Sequence, residues 1–452
     1  MSTSRRSICL IAGGISERNY RLQPWCYLLH VARGLAENGH QVTVLSDGHQ
    51  PQNDEPQNDE KNGEPCVRMV DGVAVRYIDS VNDPLWHSNA QLHGTVTALD
   101  PDVVLLHVGL TSFIHQRMQP RQRPDGKRIP TVGIFTSPLY STRDFQQIGI
   151  IKAIRNRALS GTHMIGTLAP KWLIRRRMGQ SGLHALVTQM STTRQQLLDR
   201  RLWLRHIQVV PPGIDPEWRV PDGATIEAMR TELGYAVDDT VIVYFGSPSP
   251  LRGLHTLLAA FRSAVQHEKV QHEKVQHEKV QHEKVQHEKV QHEKVQHDLT
   301  LKLLILSRRH MDELAAEDAH LHALLTDSEI APRVKVVSGF LEKDLLVRHI
   351  AASDIAALPF ELVPSDAPLS LLEAQALGKP VVTSDLVCLP ELIERGHKFL
   401  ARPADPKSLA TALLEAANFH VQNAANFQQN EPPTPRAWQA MGQEWSEFVQ
   451  LV

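Results

Sequence analysis

The chain has 452 residues and contains little cysteine, little net charge and no long hydrophobic run. Its four cysteines lie far apart without a C-x-x-C pair, which argues against a zinc site or a disulfide framework. The formal net charge is −2, so the molecule as a whole has no strong electrostatic character. No apolar run approaches about 18 residues, and the N-terminus makes a poor signal peptide. We therefore expect a cytoplasmic protein with reduced cysteines.

Short continuous apolar runs alternate with helical patterns along the chain. The run "SICLIAGG" predicts a buried strand that ends at Gly13 and Gly14, and the helix that follows has Pro24 in its first turn and stops at Gly39. The pattern restarts after Asp215 with the strand "TVIVYFGS". Such an alternation predicts an α/β fold with two halves, each built on a parallel sheet that is covered on both faces.

A pentapeptide repeat, QHEKV, fills residues 266–298. Without the extra copies the sequence is an ordinary helix, turn and strand, so we interpret the repeat as an expansion of the loop after a helix that ends near Val265. Valines five residues apart fall about 140° apart on a helix and form no coiled-coil seam. We expect a solvated, fraying helical extension or disorder. A second tandem at 51–60 indicates the same kind of loop growth.

The segment between Asp144 and Asp199 contains no acidic residue. Its cations are Lys152, Arg155, Arg157, Lys171, Arg175, Arg176, Arg177 and Arg194. Because "KWLIRRRM" interleaves apolar residues with these charges, the stretch 152–177 predicts an anionic membrane surface as a partner. Nucleic acid is the competing partner, but the sequence offers no stacking motif and no groove-reading helix, so none is predicted.

The clearest chemical signal is "PSDAPLSLLEAQALGKPVVTSD", which predicts a loop, a helix and a strand. The helix has Pro368 in its first turn and ends at Gly378. A helix that begins at the carboxyl edge of a parallel sheet presents free N–H groups and the positive end of its dipole to an anion. Glu373 lies one turn further on, where its carboxylate could accept hydrogen bonds from ribose hydroxyls.

A second anion-binding turn is predicted at "FGSPSPLRGLHTLL", which contains Gly246, Arg252 and Gly253. Glycine lets the backbone approach a phosphate, and arginine offers a permanently charged fork. Each turn alone is more often just a tight turn with a surface arginine. Two such turns on one sheet edge suit a diphosphate.

Four segments, in this order and spacing, carry a resemblance to a known family: "VVPPGIDPEW", "YFGSPSPLRGLHTLLAAF", "SGFLEKDLLVRHIAASDIAALPF" and "PLSLLEAQALGKPVVTSD". They resemble glycosyltransferase family 4, the glycosyl transferases group 1. The resemblance implies a GT-B architecture, with two Rossmann-like domains that face each other across a cleft. It implies an acceptor-binding domain at 1–215, a nucleotide-sugar-binding domain at 216–430 with the insertion 266–298, and a C-terminal helix at 431–452 that packs back on the first domain.

The implied activity is that of a retaining hexosyltransferase, which moves a sugar from a nucleotide-diphosphate sugar to a glycolipid or polysaccharide acceptor of the cell envelope. Fixed cations and amide dipoles can stabilise the charge that the leaving diphosphate gains. We therefore expect no metal and no other cofactor. The only D-x-D, Asp100-Pro101-Asp102, precedes a strand and falls on the wrong sheet edge for a metal–diphosphate site. We expect a cytoplasmic enzyme, peripheral at the inner face of the plasma membrane.

The resemblance also assigns roles to single residues. Glu373 matches the glutamate that binds the nucleotide ribose, and Arg252 matches the family's phosphate-binding lysine. The predicted diphosphate contacts are the backbone groups of Gly13, Gly14, Gly246, Leu369 and Ser370. His107 ends a first-half strand on the correct edge and is a candidate catalytic residue that could face the cleft, although a lone histidine there is more often structural.

Several positions depart from the family pattern. Ser365 stands where the first glutamate of E-x7-E is expected, with Asp366 beside it. Ser247 replaces an arginine, and a histidine is replaced near Thr136. These departures leave open a non-catalytic relative that binds nucleotide sugars or glycans. A dinucleotide oxidoreductase, for which Asp47 would suit a ribose, ranks last because the chain lacks G-x-G-x-x-G after its first strand.

Overall fold

The computed structural model of the chain describes eleven ranges of residues. These are 4–17, 19–47, 66–78, 90–115, 125–149, 157–203, 205–248, 250–283, 300–393, 398–429 and 436–452. The predicted loop growth at 51–60, the repeat beyond Glu283 and the cations Lys152 and Arg155 lie outside the described residues.

A first sheet is formed by eight described strands, all parallel except the edge strand at Val67–Val70. The strands are β1 Ser7–Ile11, β2 Gln41–Ser46, β3 Val67–Val70, β4 Val73–Tyr77, β5 Val103–Val108, β6 Thr131–Phe135, β7 Ala185–Thr188 and β8 His206–Val209. Their order is β3-β4-β2-β1-β5-β6-β7-β8. The central strands β5 and β6 are largely apolar and buried on both faces, as parallel strands covered by helices require.

Helices lie between these strands. They are α1 Trp25–Glu37, α2 Ala90–Leu99, α3 Leu110–His115, α4 Thr142–Ile148, α5 Arg157–Leu168, α6 Lys171–Gln180 and α7 Ser191–Asp199. As expected, α1 begins directly after Pro24, and Gly39 beyond its end has a positive φ of 89°.

A second sheet, entirely parallel, follows in the other half of the chain. Its strands are β9 Asp239–Gly246, β10 Thr300–Ser307, β11 Val334–Ser338, β12 Ile355–Leu358, β13 Val381–Ser384 and β14 Lys398–Ala401. The order β11-β10-β9-β12-β13-β14 reverses direction between β9 and β12, which is the Rossmann order.

The helices of this half cover both faces of the second sheet. They are α8 Gly223–Leu233, α9 Leu254–Glu283, α10 Met311–Glu317, α11 Ala319–Leu325, α12 Lys343–Ala351, α13 Leu369–Ala376, α14 Leu389–Leu392 and α15 Pro406–Gln429. One further described helix, α16 Trp438–Leu451, follows them. The expected α/β fold with two parallel-sheet domains is thus confirmed. The domain limits at residues 215 and 430 remain a prediction.

The last helix, α16, packs on α1 of the first domain, as predicted. Gly34 and Gly442 meet where the helices cross, and a Cβ placed on Gly34 would lie 2.5 Å from Gly442 Cα. The Trp445 indole donates a hydrogen bond to the Tyr27 hydroxyl, which donates to the Val210 carbonyl. This crossing ties the end of the chain to the first sheet.

The prediction that a helix ends near Val265 is wrong, because α9 continues as far as Glu283. The helical extension expected for the repeat is confirmed over its described part, residues 266–283. The first repeat copy is anchored to the domain: the Arg333 guanidinium contacts the Glu268 carboxylate at 2.8 Å, and the Gln266 amide donates to Glu329 at 2.6 Å. These contacts stabilise the turn that the first repeat copy forms, so the helix continues through it.

Hydrogen bonds join the two domains along a seam, and apolar side chains of both domains pack beside it. The Tyr140 hydroxyl donates to the Val363 carbonyl at 2.9 Å and accepts from the Val363 N–H at 2.5 Å. Both oxygens of the Glu391 carboxylate accept from the first turn of α7, at 2.8 Å from Ser191 and 2.7 Å from Thr192. A carboxylate at a helix N-terminus is stabilised by the free N–H groups and by the dipole.

No helix in the described ranges is long and apolar enough to cross a membrane.

Candidate functional site

The carboxyl edge of the second sheet opens as a crevice where the strand order reverses. The turn after β9 contains Gly246 and Arg252, and the loop after β12 leads through Pro368 into α13. Parallel α/β sheets bind their ligands at such a switch point. The topology therefore brings together the two turns that the sequence identified separately.

The first turn of α13 lies against the first domain. Pro368 provides no side-chain cap, so the N–H groups of Leu369 and Ser370 have no capping partner. Leu369 packs on the apolar cluster of the first domain to which Trp25 also belongs. The helix N-terminus, with its positive dipole end, consequently lies at the domain junction.

Arg252 is held beside this helix. Its guanidinium donates to the Ser370 hydroxyl at 3.2 Å and lies 4.9 Å from the centre of the Phe360 ring. Its Nε is buried without a partner among the described residues. Gly246, with φ 118°, leaves room for the guanidinium, because a Cβ there would lie 2.8 Å from Nη1. The glycine therefore permits this backbone conformation and leaves the guanidinium its place.

The Glu373 carboxylate lies one turn into α13 and accepts no hydrogen bond and no ion pair within 4 Å from the described part of the chain. Burial raises its pKa from 4.5 to about 7, against the opposing charges of Arg308 and Arg252. A partly buried carboxylate without a protein partner is costly unless a ligand supplies one. This arrangement suits hydroxyl donors of a bound molecule.

Arg308 is a site residue that sequence reasoning missed. It directly follows β10, and its N–H donates to the Gly246 carbonyl at 3.3 Å. Partial burial lowers its pKa, Glu373 opposes this shift, and Arg252 adds to it. A signal was available, since the residue that follows a parallel strand stands at the edge where ligands bind.

The junction between the domains holds a second charged group that the sequence did not reveal. Lys343 Nζ lies 2.7 Å from the Asp215 carboxylate, whose other oxygen is 3.9 Å from His30 Nε2. The His30 ring stacks on Trp438 at 3.9 Å, and burial lowers its pKa to about 4. On the same side, the Arg21 guanidinium lies 5.0 Å from the centre of the Phe340 ring in the second domain.

The glycine loop after β1 is engaged within its own domain. The Gly14 N–H donates to the Asp47 carboxylate at 2.7 Å, and the Gly13 carbonyl accepts from the Trp25 indole at 3.0 Å. Asp47, considered above for a ribose, thus holds the loop. Both glycines lie at the carboxyl edge of the first sheet, but the Gly14 N–H is not free for a phosphate.

His107 lies near the end of β5 and contacts Thr136, with 2.9 Å between its Nε2 and the threonine hydroxyl. Burial lowers the pKa of His107 to about 4, so the ring is neutral near pH 7. The Thr136 carbonyl accepts from the Asp366 N–H at 2.6 Å, across the domain seam. The histidine therefore lies directly behind the seam.

Ser365 and Asp366 are both buried in that seam. The Ser365 hydroxyl donates to the Thr136 carbonyl at 3.4 Å, and the Asp366 carboxylate accepts from the Thr193 hydroxyl. Burial raises the pKa of Asp366 to about 8. Neither side chain joins Glu373 and Arg252.

The D-x-D sequence lies at the opposite edge of the first sheet. The Asp102 carboxylate accepts from the N–H of Ser7, the first residue of β1, at 2.9 Å. Nowhere in the described ranges do three or more histidine, cysteine or acidic side chains form a group that could hold a metal ion.

Two family models match the chain, one in each half. The first, Glycosyltransferase Family 4, matches residues 26–218, and the second, Glycosyl transferases group 1, matches residues 239–418. Their boundaries fall on either side of the segment that joins the two sheets.

One curated relative is the amylovoran biosynthesis glycosyltransferase AmsK of Erwinia amylovora, which is 36% identical over 103 residues. The aligned part is 22% of this chain and 25% of the relative, so the chain spans a quarter of the relative's length.

Solved structures with the same fold include sucrose-phosphate synthase of Thermosynechococcus elongatus, with a TM-score of 0.61, 14% identity and 99% of each chain covered. WaaG, a glycosyltransferase of lipopolysaccharide biosynthesis, has a TM-score of 0.56 at 14% identity over 98% of this chain and 99% of its own. Anabaena HepE, solved with UDP and glucose, has a TM-score of 0.56 at 15% identity over 99% of this chain and 100% of its own. At such low sequence identities, the structural similarity shows a shared GT-B fold alone.

Proposed function

Because the chain belongs to glycosyltransferase family 4, the glycosyl transferases group 1, we propose that it transfers a sugar from a nucleotide-diphosphate sugar to an acceptor held by the first domain. One observation carries the proposal. The unpaired Glu373 carboxylate, the Arg252 guanidinium and the uncapped N-terminus of α13 converge at the switch point of the second sheet.

The chemistry follows from these charges. The Glu373 carboxylate accepts hydrogen bonds from the ribose hydroxyls, while Arg252 and the N–H groups of Leu369 and Ser370 bind the diphosphate. When the bond to the sugar breaks, its electron pair remains on the diphosphate, and the fixed cation and dipoles stabilise that charge. We propose that no metal is needed and that the anomeric configuration is retained.

We propose a glycolipid or polysaccharide acceptor of the cell envelope. Two of the similar proteins support this class of acceptor by their names: one acts in amylovoran biosynthesis and one in lipopolysaccharide biosynthesis. Such an acceptor would be met at the inner face of the plasma membrane.

A basic surface on the first domain supports work at a membrane. It consists of Lys171, Trp172, Arg175, Arg176, Arg200 and Arg201, which line one open pocket without an acidic residue. Trp172 is 66% exposed, and Leu168 on the preceding helix is 70% exposed. Exposed apolar side chains among cations that form no ion pair with any described residue suit an anionic bilayer surface, at about 1 kcal/mol for each cation near the surface.

This surface lies close to the cleft. The Arg200 guanidinium donates to the Tyr140 carbonyl at 2.9 Å, and the Tyr140 hydroxyl is bound to Val363 in the seam. A membrane that binds the basic surface would therefore present a lipid-linked acceptor near the carboxyl edge of the first sheet.

The membrane proposal is tested by co-sedimentation with anionic and zwitterionic vesicles. Changing Arg175 and Arg176 to glutamine should weaken binding to anionic vesicles by about tenfold or more at low salt. The matched control changes the exposed Lys398 and Lys407 of the second domain to glutamine and should bind like the unchanged protein. Equal binding by both variants would contradict a role for the basic surface.

The transferase proposal is tested by incubating the protein with UDP-, GDP- and ADP-sugars and measuring nucleotide release with and without a lipid acceptor. Acceptor-dependent release from one donor is expected, and NMR of the product reports the anomeric configuration. Addition of a chelator should leave the rate unchanged if the reaction is metal-independent.

A non-catalytic nucleotide-sugar-binding protein is the second candidate. The burial of Ser365 and Asp366 in the seam favours it, because no carboxylate then joins Glu373 at the position of the family's first glutamate. Saturable donor binding without hydrolysis or transfer for every donor would support this candidate. If transfer is observed, His107→Ala should reduce kcat far more than donor affinity.

A further inference from the structure

Position 247 lacks the cation that the resemblance to the family leads one to expect. Ser247 follows β9, and its carbonyl accepts from the Tyr244 hydroxyl at 3.3 Å. Between the end of β9 and Arg252 the described chain has no positive charge. If a diphosphate binds in the crevice, one of its expected protein cations is missing from this turn.

The neighbouring strand, β10, is followed by a cation at the same edge of the sheet. In the parallel pair of β9 and β10, Gly246 lies beside Ser307, so Ser247 and Arg308 are the next residues along the two chains. Neighbouring strands lie about 4.8 Å apart. An arginine at 308 can thus place its guanidinium in the volume that an arginine at 247 would use.

The charges around Arg308 agree with this placement. Glu373, Arg252 and Arg21 are the groups whose charges act on it. Its guanidinium makes no ion pair within 4 Å and no hydrogen bond with any described residue, although Glu373 lies nearby. By contrast, the next residue, Arg309, lies 3.8 Å from the Glu317 carboxylate.

Arg308 is exposed, and two neighbouring arginines without a counter-ion among the described residues form a positively charged surface in the crevice. An anion with two charged groups can pair with both cations at once.

We propose that Arg308 and Arg252 together bind the diphosphate of the donor nucleotide, and that Arg308 replaces the arginine that this chain lacks at position 247. The proposal rests on the proposed function and names a further residue of the same site. Arg308 binds the leaving group directly, so it contributes both to donor affinity and to stabilisation of the charge left on the diphosphate.

The experiment compares Arg308→Gln with the matched control Arg309→Gln, the adjacent arginine on the same loop. UDP, GDP and ADP are titrated by calorimetry with the unchanged protein, and the tightest of them is used with its parent nucleoside. Arg308→Gln should weaken binding of the diphosphate by about tenfold or more and leave nucleoside binding within about twofold. Arg309→Gln should change neither, and both variants should melt like the unchanged protein.

A rescue tests the replacement itself. Adding Ser247→Arg to Arg308→Gln should recover at least about a third of the lost affinity, because the new guanidinium enters from the adjacent strand. Unchanged diphosphate binding by Arg308→Gln, or an equal loss for nucleoside and diphosphate, would overturn the inference, as would a rescue that recovers nothing. If the unchanged protein binds none of the three diphosphates, the proposed function itself fails, and this outcome is distinguishable from the others.

Discussion

Replacing Glu373 by glutamine should stabilise the folded protein at pH 8 but weaken its binding of a nucleoside diphosphate. Burial raises the pKa of this carboxyl group from 4.5 to about 7, so the folded state holds its proton more tightly than the unfolded chain. The stability that the protonated form provides is present below about pH 4.5 and is lost as the pH rises to about 7. At pH 8 the unchanged protein therefore carries the full cost of an ionised, partly buried Glu373.

The size of this cost follows from the shift. The raised pKa corresponds to about 3 kcal/mol, which contact with solvent reduces to about 2 kcal/mol. Glutamine has nearly the same shape and no charge. Glu373→Gln should raise the melting temperature of the second domain by about 4 °C at pH 8 and leave it unchanged at pH 4. Differential scanning calorimetry at the two pH values measures both changes.

Binding should change in the opposite direction. The ionised carboxylate is the better acceptor for ribose hydroxyls, so Glu373→Gln should weaken nucleoside diphosphate binding at pH 8 by about tenfold or more. At pH 6 only about a tenth of Glu373 is ionised in the unchanged protein. Its advantage in binding affinity over Glu373→Gln should therefore be about tenfold smaller at pH 6 than at pH 8. Comparing both proteins at each pH cancels the titration of the phosphates. A variant that binds equally well at pH 8, or melts lower there, would refute the reasoning.

Three further perturbations test the scaffold. Gly442→Val should lower the free energy of unfolding by about 3 kcal/mol or more, because the crossing of α1 and α16 leaves no space for a side chain. Thermal unfolding measures this change, and an unchanged melting temperature would contradict the tight crossing. Deleting 271–295, which keeps the anchoring residue Glu268, should preserve melting temperature and activity; a folded but inactive deletion would show that the repeat has a function. Tyr140→Phe leaves both buried Val363 backbone groups without their partner and should cost about 1–3 kcal/mol in chemical denaturation, while a cost near zero would show that water replaces the hydroxyl.

Much of the fold could be predicted because the central strands are buried on both faces. β5, β6 and β9 each contain a continuous apolar run, and this pattern identifies a parallel strand without knowledge of its neighbours. The edge strand β3 and its neighbour β4 were missed. Their signal was present, since Asp71-Gly72 has positive φ at both residues and joins alternating segments, as a two-residue hairpin turn requires.

The site could be predicted only in part, because single segments show which residues follow a strand but not what binds them. The contact between Arg252 and Ser370 follows from two helix starts on one sheet edge, and both were visible in the sequence. The hydrogen bond between Gly14 and Asp47 joins residues that follow two different strands, and nothing local predicts it. The burial of Asp366 depends on Thr193 in the other domain, which a sequence pattern cannot reveal.

The balance of charge at the cleft selects its ligand more narrowly than the fold does. Arg252 and Arg308 act on Glu373 from the second domain, and Arg21 adds a third cation from the first. With Glu373 ionised, these four groups sum to an excess of two positive charges. The diphosphate of a nucleotide sugar carries one negative charge on each phosphate, so its binding would neutralise the cluster. A dinucleotide would bring the same charge, but the Gly14 loop that it would need is already bound to Asp47. The net charge of these four groups therefore matches that of a diphosphate, in agreement with the proposed nucleotide-sugar site on the second domain.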